Sequence, residues 1–125
     1  MPARRILLVE DDASIRQGIA EFLGIEGYAV DAVSNGEEAL AYLRATVPAL
    51  IVLDLLMPVM TGPQLLVRLR EEGIAGGVPV ALMTASMPSA SSLPEAQAYL
   101  AKPFDLDELL RVVAAHVGPP ARTPA

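Results

Sequence analysis

Four positions in this chain carry groups that could do chemistry, and each stands directly after an apolar run. Ile6-Leu7-Leu8-Val9 leads into Glu10-Asp11-Asp12, and Leu50-Ile51-Val52-Leu53 leads into Asp54. Val80-Ala81-Leu82-Met83 leads into Thr84, and Tyr99-Leu100-Ala101 leads into Lys102-Pro103. If these runs are parallel strands of one sheet, a single sheet edge gathers carboxylates, a hydroxyl and an ammonium. Open α/β sheets hold their ligands at that edge. Carboxylates crowded there repel one another, so the site takes up a proton or a cation. Oxygen donors without thiolate or a histidine cluster select a hard ion, and Mg2+ is the usual intracellular one. The set suits transfer of a phosphoryl group onto Asp54, with Lys102 and Thr84 placed to meet phosphoryl oxygens.

The elements that must position these residues alternate along the chain, a pattern expected of βαβ units and a mainly parallel sheet. Strands are predicted over residues 5–10, 28–33, 49–54, 78–83 and 98–101. The stretch 28–33 is the most polar of them and reads as a sheet edge, and Pro79 must sit where its missing N–H does no harm. Ile15, Ile19, Phe22 and Leu23 repeat at helical spacing, with Asp12 or Ser14 placed to cap and Gly24 and Gly27 to close. A second helix follows Asn35-Gly36 with Ala39, Leu40 and Leu43 on one face, and Pro48 stops it. A third opens at Gly62-Pro63, carries Leu65, Leu66 and Leu69, and ends at Gly73 and the glycines that follow. The last is the clearest: Leu106, Leu109, Leu110, Val113 and Val117 form one stripe, capped near Asp105. The segment 85–97 should hold a fourth crossover helix, but Pro88, Pro94 and four serines weaken it, so a short or poorly ordered helix is expected there.

Bulk properties narrow the function classes. A chain of 125 residues with 53% apolar content fits one globular domain, taken as residues 1–118, with 119–125 a disordered tail or the start of a linker. The apolar runs are too short to span a bilayer, and the amino-terminal residues do not form a signal peptide, so a cytoplasmic location and no membrane partner are expected. There is no cysteine, and His116 is the single histidine, which suits a surface or helix-capping role. A net charge of −6 argues against direct nucleic-acid binding by these residues. Each candidate also has a plainer reading. Asp54 and the acidic triplet could be helix caps, Lys102 a solvated lysine, Thr84 a strand-end residue and Tyr99 ordinary packing. Those readings do not explain why four strand ends carry one coherent chemistry.

The stretches ILLVEDD (Ile6 to Asp12), VLDLLMPVMTG (Val52 to Gly62), LMTA (Leu82 to Ala85) and YLAKPF (Tyr99 to Phe104), in this order and spacing, resemble the receiver domain of bacterial two-component response regulators, of the chemotaxis-receiver type. The resemblance covers almost the whole chain. It implies a flavodoxin-like (βα)5 fold, doubly wound, with a five-stranded parallel sheet in the order 2-1-3-4-5. It implies that Asp54 is the phosphoacceptor, fed by a sensor histidine kinase or a histidine phosphotransfer protein. It implies Mg2+ held by Glu10, Asp11, Asp54 and the main-chain carbonyl of Leu56, with Asp11 the direct ligand, Glu10 acting mainly through water, and Asp12 ranked below both. Thr84 matches the switch hydroxyl, Tyr99 the aromatic that changes rotamer, and Lys102 the phosphoryl-pairing lysine, whose bond to Pro103 is typically cis in the family. Leu56 and Ser86 fall where the family tunes phosphate lifetime. Weak homodimerisation stays open, and the downstream partner is not named by the sequence.

Such a domain assists its own phosphorylation and dephosphorylation without being a turnover enzyme. The departure from the family lies between Thr84 and Lys102, which stand closer by roughly one helical turn. An alternative reading is therefore a degenerate receiver that binds a partner without phosphorylation. An aspartate-nucleophile phosphohydrolase would place a second acid two residues after the nucleophile, where this chain has Leu56. Nucleotide binding lacks a glycine-rich phosphate loop.

Overall fold

A computed structural model of the chain describes residues 5–55, 57, 59–84, 98–101 and 105–119. Nine elements follow in the order β1 (Arg5–Val9), α1 (Ala13–Ile25), β2 (Ala29–Val33), α2 (Gly36–Ala45), β3 (Leu50–Asp54), α3 (Gly62–Glu72), β4 (Val80–Thr84), β5 (Ala98–Ala101) and α4 (Leu106–Val117). The five strands form one parallel sheet in the order β2-β1-β3-β4-β5. The parallel sheet is the one expected from the strand pattern, and its order is that of the flavodoxin-like fold implied by the family resemblance. The expected helix within 85–97 and the Lys102–Pro103 bond lie outside the described residues.

Side chains along a strand alternate between faces, and here each face has its own core. Leu7 and Val9 of β1, Ile51 and Leu53 of β3, and Val80 and Leu82 of β4 pack beneath α2 and α3. Ile6, Leu8, Leu50, Val52, Ala81, Met83 and Leu100 pack beneath α1 and α4. Covered on both faces, β3 and β4 are buried along their whole length, which is why they read as continuous apolar runs. The polar β2 lies at a sheet edge, as expected, with β5 at the other.

Most boundaries were legible, with local corrections. Of the two candidate caps of α1, Asp12 takes the position, accepting from Ile15 N at 2.9 Å. Gly24 lies within α1 rather than closing it, and Gly27 takes the left-handed turn at φ 102°. Ile15, expected on the apolar stripe, is 41% exposed at the open end of the helix. Residue 10 lies just past β1, and Tyr28 and Ala49 just before β2 and β3. Strand β4 begins after Pro79, so the proline has no ladder N–H to supply, while its carbonyl accepts from Ile51 N at 3.0 Å. Asp105 caps α4 by accepting from Glu108 N at 2.7 Å. In the last turn of that helix His116 Nδ1 donates to Val112 O at 2.9 Å, in keeping with its expected place at a helix end. Among the described residues no helix is long and apolar enough to cross a membrane.

The exposed edge is clamped by a polar triad. Arg5 meets Asp31 with two parallel bonds, Nε to Oδ2 at 2.6 Å and Nη2 to Oδ1 at 2.7 Å, and Tyr42 of α2 donates to Oδ2 at 2.7 Å. The Arg5 hydrogen bonds hold the Asp31 carboxyl below the usual carboxylate range. Burial, then the bond to Asp31, pushes the Tyr42 hydroxyl up to about 12. A group whose pKa rises on folding stabilises the fold below its ordinary pKa and loses that contribution as the pH climbs through the folded value. For Tyr42 the window is therefore from 10.0 to about 12. Tyr42→Phe should flatten the loss of stability across that window, measured by urea unfolding at fixed ionic strength. An alkaline slope identical to that of the unmodified protein would remove Tyr42 from the clamp.

Candidate functional site

The carboxyl ends of β1, β3 and β4 lie side by side, so the residues that follow or end them meet at one edge. Val9 is paired with Leu53, and Asp54 with Met83, which sets Glu10 and Asp11 on one side of Asp54 and Thr84 on the other. Glu10, Asp54 and Thr84 are the buried polar side chains among the described residues, at 1%, 5% and 4% exposure. All three stand at this edge. Asp11 is exposed at its mouth. Glu10, Asp11 and Asp54 each offer a carboxylate oxygen, and these oxygens lie within 4.8 Å of one another.

That donor set fits a small hard cation. Opposite oxygens in an octahedral Mg2+ shell are separated by about 4.2 Å, so three carboxylates at this spacing close onto one ion with small side-chain movements. Two of the acids are buried and one opens to water, which leaves room for the several waters that Mg2+ retains. The charge of such an ion would relieve the mutual repulsion of the three carboxylates.

The loop after Asp54 is held from three sides. Leu55 N donates to Met83 O at 2.9 Å, and Gly62 N donates back to Leu55 O at 3.0 Å. Met57 and Met60 are buried in the core beneath α2 and α3. Thr61 and Gln64 form a reciprocal capping box at the start of α3, with bonds of 3.3 and 2.9 Å. Between these anchors Val59 is forced to φ 71°, a costly conformation for a β-branched residue, and stands 74% exposed. Gly62 permits the close approach: a Cβ there would stand 3.0 Å from Asp54 O and 3.1 Å from Leu55 Cα.

On the other side of the mouth, Asp12 N donates to Glu10 Oε2 at 3.1 Å. Arg16, one turn into α1, donates from Nη1 to Glu10 O at 2.9 Å and to Asp11 O at 3.3 Å. Arg16 and the Thr61–Gln64 box are not among the residues singled out from the sequence, and Gly62 stands there only as the opening of the third helix and the end of a motif. The box was readable as a Thr-x-x-Gln pattern before Leu65 and Leu66, while nothing in the sequence shows where a guanidinium folds back.

Thr84 and Tyr99 lie on adjacent strands and share a sheet face. Leu82 is paired with Tyr99, and both belong to the core beneath α2 and α3, with Tyr99 partly buried. Alternation places Thr84, two residues beyond Leu82, toward the same face. The main-chain carbonyl of Leu56, Lys102 and Ser86 lie outside the described residues.

Comparison with known proteins agrees with this geometry. The family described as the response regulator receiver domain matches residues 6–114. Response regulator Rre1 of Synechocystis is 37% identical over 113 residues, covering 86% of this chain and 49% of the relative. The alkaline phosphatase synthesis transcriptional regulatory protein SphR of Synechococcus elongatus is 36% identical, covering 99% of this chain and 54% of the relative. The chain thus spans about half the length of the curated relatives it matches. Among solved structures, the chemotaxis protein CheY4 of Vibrio cholerae superposes with a TM-score of 0.83 at 28% identity, over 92% of this chain and 99% of that one. The response regulator TrrA of Thermotoga maritima, solved in complex with Mg2+ and BeF, superposes with a TM-score of 0.80 at 34% identity, over 90% of this chain and 97% of that one.

Gly62→Ala should lower stability by about 1–3 kcal/mol, because the added methyl meets main chain that cannot swing aside. Gly18→Ala, in the exposed middle of α1 with nothing within 4 Å of the new carbon, should raise it by about 1 kcal/mol. Thermal unfolding of the pair reads both signs, and a neutral Gly62→Ala would show that the loop is not tightly held.

Proposed function

Because this chain belongs to the response regulator receiver-domain family, whose members are signalling switches of two-component systems and not classical enzymes, we propose that Asp54 accepts a phosphoryl group from a partner phosphohistidine. The observation that carries this reading is the meeting of the Glu10, Asp11 and Asp54 carboxylates within 4.8 Å beside a buried threonine at one sheet edge.

In this reading Glu10, Asp11 and Asp54, with the main-chain carbonyl of Leu56, hold Mg2+. Bound there, the ion supplies the positive charge that lets an anionic phosphoryl group approach a carboxylate. A carboxylate oxygen of Asp54 attacks phosphorus, the bond from phosphorus to the donor histidine nitrogen breaks, and the electron pair leaves with the imidazole. Burial of Asp54 limits its motion and keeps bulk water from its approach. Asp11, at the open mouth, is the acid first met by an entering cation. Lys102 pairs with one phosphoryl oxygen, the role that the resemblance of its YLAKPF stretch implies, and the Thr84 hydroxyl donates to another.

The acyl phosphate then acts as a switch. Drawing Thr84 toward the new charge frees space on the face it shares with Tyr99, and Tyr99 turns inward to fill it. The change is read by whatever contacts β4, β5 and α4. Relatives of about twice this length include proteins named as transcriptional regulators, so the output belongs to a partner protein or to a further segment. With a net charge of −6, these residues themselves are poor ligands for nucleic acid. The same site would assist hydrolysis of its own acyl phosphate, and the kinase that feeds it places the domain in the cytoplasm.

Asp54→Ala should abolish acyl-phosphate formation from acetyl phosphate in Mg2+, followed by intact-protein mass spectrometry. Labelling of that variant at the original stoichiometry would defeat the assignment. Asp11→Asn should weaken Mg2+ binding by roughly tenfold or more by calorimetry, and an unchanged affinity would move the ion elsewhere. A protein that stays inert in Mg2+ and beryllofluoride would favour the alternative, an interaction module independent of phosphorylation.

A further inference from the structure

Arg16 is a cation placed beside a carboxylate cluster, yet its bonds do not go to a carboxylate. Nη1 donates to the carbonyl oxygens of Glu10, at 2.9 Å, and Asp11, at 3.3 Å. These two carbonyls belong to the peptide groups on either side of the Asp11 Cα. One nitrogen therefore fixes both planes that set the direction of the Asp11 side chain. The β1 ladder has already ended here, since Glu10 N makes the last bond to the edge strand, at Val33 O. Past that bond local contacts act on the acidic pair. Glu10 has one in its carboxylate, which accepts from Asp12 N at 3.1 Å. Arg16 supplies the matching restraint on the main chain.

The start of α2, across from this loop, is held by its own bonds. Ser34 N and Ser34 Oγ donate to Glu38 Oε1 at 2.7 and 2.8 Å. Those bonds, with a smaller contribution from the Arg16 charge, keep the Glu38 carboxyl below its ordinary range. Arg16 stands half-buried against the loop that carries the acids.

We propose that Arg16 is a positioning residue for the acidic pair, holding the main chain of Glu10 and Asp11 so that both carboxylates face Asp54. The inference rests on the reading of this cluster as a Mg2+ site and adds to it a residue that touches neither ion nor phosphoryl group. It also has a distinctive sign. A positive charge near a dication opposes its binding, so if charge were all that Arg16 contributed, its removal would tighten Mg2+. If Arg16 positions the acids, its removal loosens Mg2+ in spite of that repulsion.

The test compares Arg16→Met, which keeps the bulk and removes the donors, with Arg16→Lys, which keeps a charged donor on a shorter stem without the planar fork. Mg2+ affinity measured by calorimetry should fall in the order unmodified protein, Arg16→Lys, Arg16→Met, with the Met variant weaker by roughly tenfold. In the Mg2+-free protein, amide hydrogen exchange at Asp11 and Asp12 should accelerate in the Met variant while Ile19 and Leu23 keep their protection. Equal or tighter Mg2+ binding by Arg16→Met overturns the proposal. If the Met variant does not fold, an affinity of Arg16→Lys equal to that of the unmodified protein overturns it instead. Asp11→Asn run alongside separates the two levels. Loss of affinity there without loss in the Arg16 variants removes only the positioning role, whereas unchanged affinity in Asp11→Asn removes the Mg2+ reading beneath it.

Discussion

Three carboxylates converging on one point repel one another, and the site exists because the fold does not let them part. Glu10 and Asp54 end or follow strands that are neighbours in the sheet, so their spacing is set by a hydrogen-bonded ladder. Each strand is buried on both faces by a separate core. Moving the backbone of either acid away would require breaking that ladder or opening a core. The sheet thus holds a charge arrangement that a flexible loop would relax. Such preorganisation is what makes a cation welcome there.

The same constraint explains the strain next to it. The chain must leave Asp54, pass Met57 and Met60 into the core beneath α2 and α3, and return to start α3 directly over the Asp54 and Leu55 main chain. A short path with several fixed points leaves Val59 in an unfavourable conformation. Gly36 shows how closely the loop is pressed against its neighbour, since a Cβ there would meet Met60 at 2.8 Å. The start of α2, the loop after Asp54 and the start of α3 therefore act as one packed unit. A displacement at Asp54 has few directions in which to go, and the face shared by Thr84 and Tyr99 is the one the proposed switch uses.

The likeness to receiver domains concerns this unit and its sheet. Structural neighbours such as the Vibrio cholerae chemotaxis protein cover nearly all of their own length with this chain. The curated relatives extend well beyond it. The same scaffold thus fills almost the whole of some chains and about half of others.

The sequence by itself determined the sheet, its polar edge strand and the acids at its mouth. Two-sided burial writes itself as uninterrupted apolar runs, and helical stripes write themselves at a spacing of three and four. Glu10, Asp11, Asp54 and Thr84 were legible because each ends such a run, and Asp105 because a capping residue precedes its stripe. Tertiary structure alone decided what depends on distance between remote residues. It set Gly62 against the Asp54 main chain and Gly36 against Met60. It turned Arg16 onto two carbonyls, and it joined Arg5 to Asp31 and Tyr42 across the edge. Periodicity reports which face of an element is buried, because burial is a property of every residue on that face. It carries no record of where a single long side chain ends or which main-chain atom lies a few ångströms away, because those are fixed only when separate elements pack.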